Sequence, residues 1–426
     1  MNVMSERLLQ FIWQFQYFNT RSLLTSAGET VNVQFQGHYN TNQGPDFTDA
    51  RIRIGNTTWV GNVELHISSS DWKKHGHQHD PNYSNVVLHV VWEDDLPEQG
   101  MPVLELSSRV PKILLGQYND WMESTSFIPC DKSVTTLPDA PWQAWKEQLL
   151  NERLLLKTDN ITTMLAQNNH HWEETCWWLL ARYFGGPVNA ESFEEIARSI
   201  PLSLLHRHTS HLRHLEALLI GQAGLLEDIG PDEEYPLLLQ EEYRFLKHKY
   251  GLRPSSIRPA FLRMRPSGFP GLRLAQLAML VHTTTHLLSR ILEAESEVEL
   301  RKWLDVSASE YWHFHYRFGD HSSYRIKRIG RSTIDRLIIN AAVPILFAYG
   351  NYFGISSCNQ KALHWLEQID AEQNPVIRGF AELGLKTRHA WDTQALMGLK
   401  INYCEKRQCL DCAVGNHILQ KAKSQA

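Results

Sequence analysis

Two acids and a histidine stand where a divalent metal would need them. Asp46 follows Gly44-Pro45, and Glu64 and His66 come after it with 17 residues between the two acids. Side chains alternate along a strand, so in Trp59–Ile67 residues Val63, Leu65 and Ile67 share one face while Glu64 and His66 share the other. An acid and an imidazole on one strand face, with an Asp just upstream in a hairpin, can hold Mg²⁺ or Mn²⁺ beside a phosphate group. A metal so held brings water to a phosphodiester and stabilises the charge that develops. The alternative is an alternating strand with a solvated polar face. A second group is the loop His75, His77, His79 and Asp80, whose imidazoles suit a transition metal or contact with a phosphate or leaving group. His89, inside an apolar run, reads as a core histidine. The third group is Cys404, Cys409 and Cys412, spaced C-x4-C-x2-C. Thiolates at that spacing bind zinc or an iron–sulfur cluster. Cys130 is the leading fourth ligand, with Cys358 and His417 behind it. Four thiolates leave no open coordination position, so that site reads as structural. Cys176, among Trp172, Trp177 and Trp178, reads as core packing.

Charge is segregated further along. From Tyr243 to Leu292 there is no Asp or Glu, yet the window holds Arg263, Arg265 and Arg273 among other cations. Arg325, Arg328 and Arg331 form a second run. Arginine offers forked geometry to phosphate, and phosphate contacts supply most non-specific nucleic-acid affinity. Phe261, Phe269 and Tyr250 are interleaved and can stack on bases. The competing reading pairs these arginines with acids elsewhere in the chain.

The elements that must position these groups are legible in outline. The chain has 426 residues, 42% hydrophobic and 21% charged, with a formal net charge of −5. That composition excludes a mainly disordered chain. No run of apolar residues is long enough to predict a membrane span, and the start lacks the pattern of a secretory signal, so the expectation is a cytoplasmic protein. Alternation predicts strands at 31–35 and 51–54, and further strands are read at 59–67, at 86–92, whose nearly continuous apolar run suits a central strand covered on both faces, and, as an edge, at 101–106, behind a helix over 5–18. From Trp142 onward the periodicity is helical, with a helix capped by Asp139, another over 172–184, and further ones including 271–292. The fold class is therefore α+β. The limits are a mixed α/β domain over 1–126, a Pro-containing linker over 127–141, a helical domain over 142–357, and a helical C-terminal region over 358–426 carrying the Cys cluster.

Pro45-Asp46 and Glu64-Leu65-His66 resemble the PD-(D/E)xK nuclease superfamily, which implies a restriction-endonuclease-like fold for the first domain. The resemblance also implies that Asp46 and Glu64 hold the metal, with Glu6 on the first helix as an extra acid. His66 stands where the superfamily carries lysine, and it would position the attacking water. A remote Cys joined to a C-terminal Cys trio resembles the iron–sulfur staple of RecB-like members. Over nearly its whole length, in phrases such as WVGNVELHISSSDWKKHGHQHD at 59–80 and CEKRQCLDC at 404–412, the chain resembles an uncharacterised bacterial family, a domain of unknown function, which imports no activity. The expectation is a metal-dependent nuclease acting on DNA ahead of RNA. The alternatives are an inactive nucleic-acid-binding or scaffold protein and a His-cluster metallohydrolase. No Walker A, G-x-G-x-x-G or G-x-S-x-G sequence supports ATP-driven, dinucleotide or serine-hydrolase chemistry. Oligomeric state stays open.

Overall fold

The computed structural model describes residues 4–424 except 97–99, 228, 231–232 and 263. The chain forms two units. One comprises Met1–Glu147, Pro375–Lys386 and Leu396–Ala426, and the other Gln148–Asn374 and Thr387–Ala395. This division cuts across the limits set by sequence pattern, because segments from the C-terminal region return to the unit that holds the sheet.

In the first unit, Ser5 caps helix α1 (Glu6–Gln14), its hydroxyl accepting the Leu8 N–H. Leu8, Leu9, Phe11, Ile12 and Trp13 of α1 are buried, while Glu6 and Gln10 lie one turn apart on a less buried stripe. Seven strands follow: β1 (Leu23–Leu24), β2 (Thr30–Phe35), β3 (His38–Tyr39), β4 (Phe47–Ile54), β5 (Thr57–Ser68), β6 (Val86–Glu93) and β7 (Val103–Glu105). They form one mixed sheet in the order β1-β2-β4-β5-β6-β7, with β3 paired to β4. β4 and β5 make an antiparallel hairpin around Gly55-Asn56. β6 then pairs with β5 in parallel, which requires a crossover. Residues 69–85 supply it through the short helix α2 (Asp71–Lys74) and two single-turn 3₁₀ segments. Gly61 is required where β5 meets the end of this crossover. A Cβ there would stand 2.5 Å from Val87 Cγ1 and 2.6 Å from the Asn85 carbonyl oxygen.

Helix α3 (Lys112–Glu123) follows the sheet. Helix α4 (Asp139–Gln167) begins at the predicted Asp139. In the second unit, α5 (Trp172–Phe184) coincides with the predicted helix and buries Trp177 and Trp178. The single helix predicted over 271–292 is two, Pro270–Thr283 and Leu287–Glu293. The run Arg331–Phe353 is long and apolar enough to cross a membrane, but 78% of its apolar window is buried inside the fold, as in a core helix.

Candidate metal and catalytic site

β5 presents Glu64 and His66 on one face, as the alternation requires, but that face is covered. Glu64 is 6% exposed and His66 1%. The cover is the 69–85 crossover. Trp72 sits edge-on to His66 and His77, and the His77 ring stacks on Tyr83 with centroids 3.8 Å apart. The solvated polar face considered from sequence is thus a buried polar site, and buried polar groups carry a desolvation cost unless they are partnered.

The partners are specific. Glu64 Oε2 accepts the Asp46 backbone N–H at 3.0 Å. Asp46 Oδ2 accepts the Leu65 N–H at 3.0 Å, and Oδ1 accepts from Gln10 Nε2 at 2.7 Å. Glu64 Oε1 lies 3.6 Å from both His66 Nε2 and His77 Nε2. His66 Nδ1 meets His89 Nε2 at 2.8 Å, and its Nε2 meets His75 Nδ1 at 3.1 Å. The ligand atoms of His66, His75 and His77 all fall within 4.8 Å of one another. The His77 Nε2 atom is buried and makes no hydrogen bond.

The electrostatics match the geometry. Burial, then the Asp46 charge, pushes the Glu64 carboxyl up to about 8. Burial, with help from the Glu6 charge, pushes Asp46 up to about 6. Burial, reinforced by the neighbouring histidines, holds His66 down to about 3, so its imidazole is neutral at physiological pH. Burial also lowers His77. Tyr83 is raised to about 12 by burial and by the Glu64 and Asp46 charges. Glu6, Asp46 and Glu64 therefore act on one another, and neutral imidazoles, the metal-ligating form, stand beside them.

Residues 6–375 match the family described as Protein of unknown function (DUF2851). The chain belongs to that family. No curated protein and no solved structure matches it. The DUF2851 match takes in Glu6, Asp46, Glu64 and the histidines of the site. Cys404, Cys409 and Cys412 lie beyond it.

Of the loop histidines singled out by sequence, the fold gathers His75 and His77 but leaves His79 exposed and outside the group. The reason is local: Gly76, at φ +75°, starts a 3₁₀ turn that turns His77 inward and His79 to the surface. His89, read from sequence as a core residue, is buried and is also the partner of His66. Sequence pattern did not single out Gln10, Trp72 or Tyr83. Gln10 was findable as the residue one turn after Glu6; the other two needed the crossover's path.

The arginines separate. Arg263 lies outside the described residues. Arg265 and Arg325 are exposed. Arg328 and Arg331 are exposed and pair with Asp305 and Asp335. Arg273 is a correction. It is 8% exposed and donates to Gln276 Oε1 and Thr333 Oγ1, both at 3.1 Å. It serves the interior of the second unit and offers no surface to nucleic acid. The helix that carries it is buried on nearly every side. Cys130, Cys404, Cys409 and Cys412 line one cavity in the first unit. Cys358 belongs to the second unit, and the His417 ring is bonded to the Thr136 carbonyl oxygen.

Proposed function

We propose that this chain is a divalent-metal-dependent phosphodiesterase that cleaves nucleic acid, DNA ahead of RNA, at the site of Glu6, Asp46, Glu64, His66 and His77. The observation that carries the reading is Glu64. One of its oxygens is fixed by the Asp46 N–H, and the other stands 3.6 Å from two imidazole nitrogens. A carboxylate so held, beside a buried His77 nitrogen without a hydrogen bond, is a donor set waiting for a cation. Its mixed nitrogen and oxygen character fits Mn²⁺ or Zn²⁺ better than Mg²⁺, which favours oxygen. Glu64, His66 and His77 would hold the ion, and Asp46, whose carboxylate accepts from Gln10 and the Leu65 N–H, would add an oxygen ligand. The ion would lower the pKa of water and offset phosphoryl charge. His66 is fixed by His89, which orients its Nε2. Glu6, at the rim on α1, would hold water near the carboxylates.

The phosphodiester substrate rests on the Pro-Asp…Glu-x-His arrangement. An antiparallel β4–β5 hairpin carries Glu64, with Asp46 just before β4, and is followed by the parallel β6, which supports the nuclease resemblance. A second reading is favoured by the three gathered imidazoles: a His-cluster metallohydrolase acting on a small substrate.

The test is cleavage of labelled single- and double-stranded DNA and RNA with Mn²⁺, Mg²⁺ or Zn²⁺. Glu64→Ala should lower metal-dependent cutting by about 100-fold or more and spare binding. Turnover of small phosphodiesters alone would move the assignment to the second reading. Wild-type rates from Glu64→Ala, or no cutting with any metal, would remove the first.

A further inference from the structure

The second unit holds a cationic cavity that is independent of the carboxylate site. It measures about 330 Å³ and lies between α4, α5, α6 (Gly186–Ser199) and the π-turn Ile338–Ala342. Lys157, Arg182, Arg198 and Asn340 give it polar walls, and Ile161 and Leu179 an apolar one. The π-turn interrupts the long helical run Arg331–Phe353, and such turns are frequent at functional sites. Asn340 sits in it. Its Oδ1 accepts from Lys157 Nζ at 3.0 Å, and its amide donates to the Arg336 carbonyl oxygen at 3.1 Å.

Cations outnumber the acids around it. Lys157 Nζ also donates to Gln394 Oε1 at 3.2 Å, and Arg153 Nε donates to the same oxygen at 2.8 Å. Lys157, Arg153 and Arg336 all feel one carboxylate, Glu372. Glu372 Oε2 is engaged by Gln394 Nε2 at 2.5 Å and by the Thr393 hydroxyl at 3.1 Å. The Arg336 guanidinium lies by the start of α6, where a Cβ on Gly186 would stand 3.6 Å from Nη2. Its Nε is buried and makes no hydrogen bond. Arg182 and Arg198 share Glu194, at 2.6 and 2.7 Å. Five cations thus stand with two carboxylates. Burial, then the Arg153 charge, holds Lys157 down to about 7, and burial lowers Arg153 and Arg336 as well. Withdrawing cations from water is costly unless they gain a counter-charge, and a bound anion would supply it.

Charge and size decide what fits. A phosphate monoester carries roughly −1.5 to −2 at neutral pH and offers three acceptor oxygens, which matches this excess of cations better than a single carboxylate does. Guanidinium forks suit phosphate oxygens, and ammonium adds a point charge. The volume is near the lower end of ligand pockets, roughly 300–1,000 Å³, and exceeds what phosphate alone would fill. We propose that this cavity binds a small phosphate monoester, with Lys157 and Arg182 on the phosphate oxygens and the remainder of the molecule against Ile161 and Leu179. Asn340 positions Lys157, and Arg153 and Arg336 add to the attracting field.

The test is calorimetric titration of the full chain in phosphate-free buffer, with chelator present so that no metal at the carboxylate site contributes. The probes are adenosine monophosphate, inorganic phosphate, succinate and adenosine. The expected result is a single adenosine monophosphate per chain, bound more tightly than inorganic phosphate, with no binding of adenosine. Lys157→Met and Arg182→Gln should each weaken it about tenfold or more, while Glu64→Ala keeps wild-type affinity. Because Lys157→Met can misfold, Arg182, whose side chain is 34% exposed, provides the second variant, and melting without ligand reports whether each is folded. Equal affinity for inorganic phosphate and the monophosphate would overturn the monoester and leave a site for free phosphate. No binding of either, succinate bound as tightly as the monophosphate, or undiminished affinity in both folded variants would overturn the phosphate site itself.

Discussion

Glu64 is the residue whose surroundings oppose its own charge. Its ordinary pKa is 4.5, and burial with the Asp46 charge raises it to about 8 in the metal-free chain. Between those values the folded chain holds more protons at Glu64 than the unfolded chain does. Stability then falls as pH rises through that window, and stays lowered above it. Asp46, raised to about 6 by burial and the Glu6 charge, acts with the same sign over a narrower range. Glu64→Gln keeps an acceptor for the Asp46 N–H and removes the charge. Without divalent metal, the variant should therefore melt above wild type at pH 8, by no more than a few kcal/mol at about 1.4 kcal/mol per unit. The difference should shrink toward zero near pH 5. The other groups facing the carboxyl, His66, His77 and Tyr83, are common to both proteins. Adding Mn²⁺ should raise the wild-type midpoint and leave Glu64→Gln where it was. Thermal melts across this pH range, with chelator and then with metal, check both halves. Equal melting at every pH would show that Glu64 bears no such burden.

At the scale of elements, the join between β5 and β6 aligns the site. The parallel register sets Glu64 opposite His89 and His66 opposite Val91, so a slip of one residue would turn both functional side chains to the other face. Gly61 guards that register at the point where Asn85 and Val87 approach. Gly61→Ala has to displace backbone as well as a valine methyl. A loss of roughly 1–3 kcal/mol is expected from overpacking of this kind, and urea unfolding measures it. A wild-type midpoint would mean that the strands separate there without cost. The same strands show what sequence pattern could reach. β4 and β5 are long enough to display their period, and Glu64 and His66 were readable from it, while Asp46, just before β4, was readable from its place after Gly44-Pro45. β1 and β3 have two residues each and show no period at all. The run 271–292 is interrupted by His282-Thr283-Thr284-Thr285-His286, a polar and β-branched stretch that falls on the break between Thr283 and Leu287 and could have marked it. That Arg273 faces inward was hidden, because a helix covered all round has no polar stripe to betray its direction. The depth of the Glu64 face, and the roles of His89 and Tyr83, come from the crossover folding back over β5. No spacing rule encodes that.

At the scale of the molecule, the first unit is closed by chain from far along the sequence. The family match ends at residue 375, yet residues 396–426 belong with the sheet. Leu399, Val414 and Leu419 are at most 1% exposed. Tyr17 donates to Asn416 Oδ1 at 2.5 Å, Arg7 pairs with Asp411, and Lys423 reaches the Gln16 carbonyl oxygen. One of these contacts falls on α1 and the other two within three residues of its end, and α1 also carries Glu6 and Gln10. The terminal segment therefore braces the helix that borders the carboxylate site. Burying each such leucine or valine contributes about 1.5–3 kcal/mol, which together is comparable with the whole stability of a domain. A chain stopped after Ala395 should then lose the cooperative melting of the first unit. Limited proteolysis should cut it within residues 1–147 while fragments of the second unit survive. A shortened chain that melts and resists protease like the full one would show that the terminal segment is an accessory. The opposite result would make it part of the fold that holds Glu6 over Asp46 and Glu64, although it lies outside the matched family region.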